Sequence, residues 1–347
     1  MNKLKFSLEP TGTLFERDAK RYFSVFGFAV FALVTGLQVG GFLLSNLLHR
    51  FAPWVFGHAV VYQLISLIPL YGIGLPLCYW ILCLLPRDGV TPEKMDGKSV
   101  VKGFCAAVSL TMAGSYISNL IISFLSLAKG GALTNPVQSM TEGNVWWINL
   151  IFVAVLPAIL EELVFRKLLC DRLLPLGEGY AIVLSAAAFG LVHGNFFQFA
   201  YAFLLGALFS LIYVKTGKLI YSIGYHFLIN LTGGVLTAWL LERLAPLLTE
   251  ESLTRLTELM TAGDMNAVSA LMGDYLVPMM IFVVYELAMM ALSIFGVVFL
   301  IFGLKKVRLQ SGLLPPPKEG RVANVFCNVG VASAITAFVI VFILSLI

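Results

Sequence analysis

The sequence predicts an all-α, polytopic integral membrane protein with eight or nine transmembrane helices. Three observations predict it. The 347 residues are 59% hydrophobic and only 12% charged, where a soluble domain is about 45–50% apolar and about 25% charged. Mean hydropathy is +0.91. Apolar runs recur along the chain at about the 20 residues that a helix needs to cross a hydrocarbon core about 30 Å thick. Finally, the basic residues fall almost entirely on one set of alternating linkers, as cytoplasmic loops require.

Nine runs are candidates: 22–48, 60–85, 100–128, 145–165, 179–197, 198–214, 219–241, 275–304 and 325–347. The fourth is expected to continue as a cytosolic helix to about residue 174. The fifth and sixth are short and joined only by Gly194-Asn195-Phe196-Phe197-Gln198. Residues 1–21 are a polar, charged cytosolic segment, too unlike a signal peptide to be one. Residues 22–347 then form a single transmembrane domain. With the N-terminus inside, the inner linkers hold 19 of the 23 Lys and Arg residues. This predicts a cytoplasmic N-terminus and an outside C-terminus. The stretch 242–274 has six acids against Arg243 and Arg255 and reads as an amphipathic outer segment. The linker 305–324 carries Pro315-Pro316-Pro317.

The composition also excludes. A net charge of +4 follows from loop asymmetry and gives no sign of a nucleic-acid partner; the partner it implies is the lipid bilayer. The five cysteines (Cys78, Cys83, Cys105, Cys170, Cys327) form no CxxC pair and read as small hydrophobes. His49 and His58 fall in the first outer loop and read as solvated.

What the spans should not contain is ionisable side chains, since an acid at a span centre costs roughly 2.5–3.5 kcal/mol even on lenient scales. Glu161, Glu162, His193, His226 and Glu286 are nevertheless there, with Arg166 near the inner end of span four. Residues i and i+4 share a helix face. Glu162 therefore faces Arg166 as an ion pair, and Glu161, rotated by about 100°, lacks that partner. Phe189 and His193 share one face, His226 and Asn230 another. Small residues nearby, among them Ala186, Gly190, Gly206 and Gly234, allow close helix approach. An unpaired carboxylate suits a general base. A histidine can hold the same water, and a second histidine with an amide can donate to a developing oxyanion.

One point fits badly. Glu161 and His226 count into the cytoplasmic half, whereas His193 counts toward the far side. Either span five starts later, or spans five and six form a hairpin whose turn is buried in protein, with Gly194 and Asn195 suited to it.

EExxxR, FxxxH and HxxxN in this order resemble the signature of the CPBP (Abi) family of CAAX-processing and bacteriocin-processing intramembrane proteases. The motifs here are Glu161-Glu162-Leu163-Val164-Phe165-Arg166, Phe189-Gly190-Leu191-Val192-His193 and His226-Phe227-Leu228-Ile229-Asn230. The resemblance covers a catalytic core of about 145–241. It implies an intramembrane endopeptidase acting on a membrane-embedded or lipidated protein or peptide. It implies that Glu161 and His193 activate water, that His226 and Asn230 form the oxyanion hole, and that Glu162 and Arg166 hold the geometry, with Phe189 beside them. The chain contains no HExxH, GxGD or GxSxG. No cofactor is expected, because Asn230 suits an oxyanion donor better than a ligand. Two histidines and a glutamate are also a catalytic zinc set, so zinc stands as the alternative. The alternative to an enzyme is a scaffold or transporter on the same fold. Glu286 favours the transporter; the absence of internal repeats disfavours it.

Overall fold

With no water to satisfy backbone groups, apolar runs in hydrocarbon must satisfy them internally, as helices do. The computed structural model describes residues 3–141 and 143–346, and helices dominate it. Two isolated bridges, Leu8 with Leu14 and Gly177 with Ser311, are the β pairings among the described residues. Seven helices are long and apolar enough to cross a membrane: α1 (Glu16–Phe51), α2 (Ala59–Leu82), α3 (Gly97–Lys129), α4 (Trp146–Leu176), α6 (Phe196–Thr216), α7 (Leu219–Leu244) and α10 (Leu276–Leu304). Two more apolar helices are shorter, α5 (Glu178–Val192) and α11 (Val329–Leu344). The stretch 242–274 holds α8 (Glu250–Ala262) and α9 (Met265–Met272), neither of which buries a residue. Each expected run thus coincides with a helix. The expected termini, Met1 and Ile347, lie outside the described residues.

Local chemistry explains where these helices begin and end. The Asp96 side chain caps α3 by accepting the Ser99 N–H at 2.9 Å, and Gly130 ends that helix at φ +75°. Between α5 and α6 the chain reverses over three residues. Gly194 takes φ +66°, open to glycine without strain, and the Asn195 side chain caps α6 by accepting the Gln198 N–H at 3.0 Å.

Small residues set the packing. A Cβ on Gly206 of α6 would lie 3.0 Å from the Ala186 Cα of α5. A Cβ on Gly114 of α3 would collide with the Tyr201 backbone of α6, so these helices touch backbone to backbone. α10 leans on α3 where Ser109 Oγ donates to the Ser293 carbonyl at 2.6 Å. The result is two apolar clusters. One draws on α1, α2, α4 and α5, including Phe23, Leu33, Phe165 and Phe189. The other draws on α3, α6 and α7, including Phe209, Tyr225 and Ile229.

The linker 305–320 is held against the start of α5 at one end of the bundle. Leu314 N–H donates to the Pro175 carbonyl at 2.7 Å, and Glu178 N–H to that of Gln310 at 3.1 Å. The Lys215 ammonium pairs with the Glu178 carboxylate.

Candidate active site

Where the two clusters meet, α4 departs from regular α geometry. Residues 150–155 and 163–170 are wound as π-helix, and the α turn between them, Leu156–Glu162, carries both glutamates. In α7, π winding begins at Leu231, directly after Asn230. Such stretches shift side chains around the helix and are frequent at functional sites.

Glu162 and Arg166 are both completely buried, with Nε and Oε2 3.0 Å apart. The guanidinium carbon sits 4.6 Å from the Phe189 ring centre and 5.6 Å from that of Phe209. Its two terminal nitrogens have no hydrogen-bond partner among the described residues. The cation is therefore held by one carboxylate and two ring faces. Glu162 Oε1 lies 3.0 Å from His226 Nδ1. A carboxylate already paired with an arginine accepts, so Nδ1 carries the hydrogen. His226 itself sits between the rings of Phe189 and Phe209, at 5.7 and 5.8 Å.

Glu161 takes a different environment from its neighbour. Its side chain is 18% exposed and faces a cavity, and its Oε2 is 3.8 Å from His226 Nε2. His193 is also fixed through Nδ1, which is 2.7 Å from the Phe189 carbonyl. A carbonyl only accepts, so this nitrogen too carries the hydrogen. In their neutral forms both histidines therefore keep a lone pair on Nε2. Asn230 donates one amide hydrogen to the Val153 carbonyl at 3.0 Å.

The cavity has a volume of about 470 Å³ and is lined by Glu161, Phe189, His193, His226 and Asn230 together. The structure thus brings all the expected lining groups to one space and puts Glu162 and Arg166 behind them. The depth conflict resolves in favour of a buried turn. α5 begins at Glu178 and has 15 residues, only about 22 Å of helix. Its end at Val192 thus stops within the bundle, and Asn195 in the turn is 6% exposed. Glu286 does not join the site: it lies on the exposed face of α10 and is absent from the cavity wall.

Several wall groups carry no motif. Thr111 and Ser115 of α3 and Gln198 and Tyr201 of α6 all line the cavity. Their signal in the sequence was polar residues three or four apart within apolar helices, Thr111 with Ser115 and Gln198 with Tyr201. Among the described residues, no three His, Cys, Asp or Glu side chains are arranged to hold a metal ion.

Comparison with known families now bears on this geometry. Residues 143–232 match the family model described as Type II CAAX prenyl endopeptidase Rce1-like. This stretch is an Rce1-like domain. It contains the whole of α5 and α6, the glutamates of α4 and the His226–Asn230 face of α7. No curated protein and no solved structure matches the chain. The Rce1-like domain accounts for about a quarter of the sequence, and α1, α2, α3, α10 and α11 pack around or beside it.

Proposed function

We propose that this protein is an intramembrane endopeptidase that cleaves a prenylated protein or peptide in the cavity between α4, α5, α6 and α7. One observation carries the reading: Glu161, His193, His226 and Asn230, drawn from three motifs on separate helices, line a single cavity inside an Rce1-like domain.

Glu161 is the general base. It is the glutamate without an arginine, and it faces the space where water enters. His193 holds the same water through the Nε2 lone pair that the Phe189 carbonyl leaves free. Asn230 offers its second amide hydrogen to the oxyanion. In neutral His226 the single N–H belongs to Glu162, so His226 donates to the oxyanion through Nε2 only when doubly protonated. Of the oxyanion role that the motif implies for His226, this leaves the doubly protonated ring. Glu162 and Arg166 fix His226 from behind.

In this reading α5 and α11 also cross, as short helices shielded by their neighbours, giving nine spans with the N-terminus inside and the C-terminus outside. Reporter fusions at the two ends landing on the same side would overturn that topology.

The activity is tested with purified protein in liposomes. The probe is a peptide ending in Cys-aliphatic-aliphatic-X with a farnesyl group on its cysteine. Mass spectrometry should detect both cleavage fragments, and the unprenylated peptide should react more slowly. An intact prenylated peptide after prolonged incubation would contradict the proposal.

A further inference from the structure

Asn230 sits where the winding of α7 changes. It ends the regular α turns, and the π stretch Leu231–Leu236 begins at the next residue. That stretch contains Gly233-Gly234, two adjacent glycines with no side chain to restrain the backbone. A Cβ on Gly233 would meet nothing within 4 Å, so no neighbouring atom wedges the turn there. A Cβ on Gly234 would lie 3.1 Å from Val153 Cγ1, in the π stretch 150–155 of α4. The two π stretches thus lie against each other, and the Asn230 amide bonds across to the Val153 carbonyl at 3.0 Å.

Two hydroxyls hold the turn through one carbonyl. Thr237 Oγ1, on α7 itself, donates to the Thr232 carbonyl at 3.0 Å. Tyr285 of α10 reaches the same carbonyl, with its hydroxyl oxygen 3.1 Å away. A carbonyl only accepts, so the tyrosine hydrogen is committed there. Among the described residues, this bond and that of Asn230 to Val153 are the side-chain hydrogen bonds that tie residues 230–236 to other helices. They fall two residues apart, on either side of the change in winding. Thr232 is the last residue of the Rce1-like match, and Tyr285 lies 53 residues beyond it. Tyr285 is not on the cavity wall, so its hydroxyl acts on the site through α7.

We propose that Tyr285 is a positioning residue for Asn230: its hydrogen bond to the Thr232 carbonyl holds the π turn that aims the free Asn230 amide hydrogen into the cavity. This rests on the endopeptidase reading, in which that hydrogen meets the oxyanion. Relaxing a π turn to α winding rotates the helix on one side of it relative to the other. Without the anchor on α10, the Gly233-Gly234 turn can change winding, and Asn230 loses its fixed direction. A helix outside the family match thereby takes part in the reaction.

The test is a double-mutant cycle in liposomes with Tyr285→Phe, Asn230→Ala and the two together. The probes are the farnesylated peptide and its phosphinate analogue, whose tetrahedral anionic centre mimics the intermediate. Misplacing a catalytic group by about 1 Å can cost about 10² in rate. Tyr285→Phe should lower kcat by about tenfold with KM nearly unchanged, and should weaken phosphinate binding by a similar factor. In the Asn230→Ala background the same change should alter both by less than about twofold, because the group it aims is gone. Phosphinate affinity carries this comparison where turnover is slow. Thermal unfolding of Tyr285→Phe should match wild type, since single interhelical hydrogen bonds add little stability in membranes. Amide hydrogen exchange should quicken over residues 229–237. An equal loss in both backgrounds would overturn the assignment, because the hydroxyl would then act independently of Asn230. Wild-type kcat, a raised KM with unchanged kcat, or early unfolding of Tyr285→Phe would overturn it too. Failure of the wild-type protein to cleave would overturn both readings.

Discussion

Two membrane helices carry acids well inside an apolar run, and they treat them in opposite ways. In α4, the fully buried Glu162 is paired with Arg166 and His226, which themselves lie against two aromatic rings, and Glu161 opens on a walled cavity. In α10, Glu286 stands on an exposed face, ten residues into a 29-residue helix. Hydropathy does not separate the two, at 2.1 for α4 and 2.6 for α10. Burial does: 44% of the apolar window of α4 is inside the protein, against 6% for α10. A charge within a membrane span becomes a chemical group only where neighbouring helices bring it partners and a defined space.

That contrast can be broken or sharpened by the same substitution at different sites. The largest effect on stability is expected for Glu162→Gln. It leaves the Arg166 cation buried without its counter-charge, and breaking a buried pair from one side typically costs about 3–5 kcal/mol. Thermal unfolding in detergent should show a marked loss, with little folded protein recovered. A Glu162→Gln protein as stable as wild type would mean that the two ring faces suffice for Arg166. A smaller effect is expected for Asn230→Ala, because only one donor to the oxyanion goes. Turnover should fall by about 10²–10³ with substrate affinity largely kept. Tight-binding measurements showing lost affinity instead would move Asn230 from the oxyanion to substrate anchoring. The smallest effect is expected for Glu286→Gln. It touches neither the cavity nor a paired charge, so cleavage of the farnesylated peptide should stay within about twofold of wild type and stability within about 0.5 kcal/mol. A dead Glu286→Gln enzyme would collapse the contrast.

The contrast also marks what the sequence made legible. Helix positions followed from apolar runs, because the bilayer imposes one length and one backbone solution on every span. The Glu162–Arg166 pair followed from i,i+4 spacing within one helix. Groups on different helices were legible only as separate stripes; that they meet depends on close approaches such as Gly114 with Tyr201 and Gly206 with Ala186, which a single chain does not encode locally. The place of His193 stood open between a later start of span five and a buried turn for a related reason: the apolar run reads on to residue 197, whereas α5 ends at Val192 after 15 residues and the turn that follows is buried. The π winding around Glu161 and Glu162 left no pattern in residue types. Nor did the His226 contact with Glu162, which reassigns the single N–H of the neutral ring.

The central claim is that Glu161, the acid facing the cavity, activates water. Glu161→Gln keeps the shape of the side chain and removes the base, and general acid–base catalysis typically contributes about 10²–10⁴ in rate. The deciding measurement is its cleavage rate on the farnesylated peptide, taken with its thermal unfolding and peptide affinity. The account predicts wild-type unfolding, wild-type affinity and a rate lower by at least about 10². A Glu161→Gln protein that folds, binds and cleaves at the wild-type rate would contradict it.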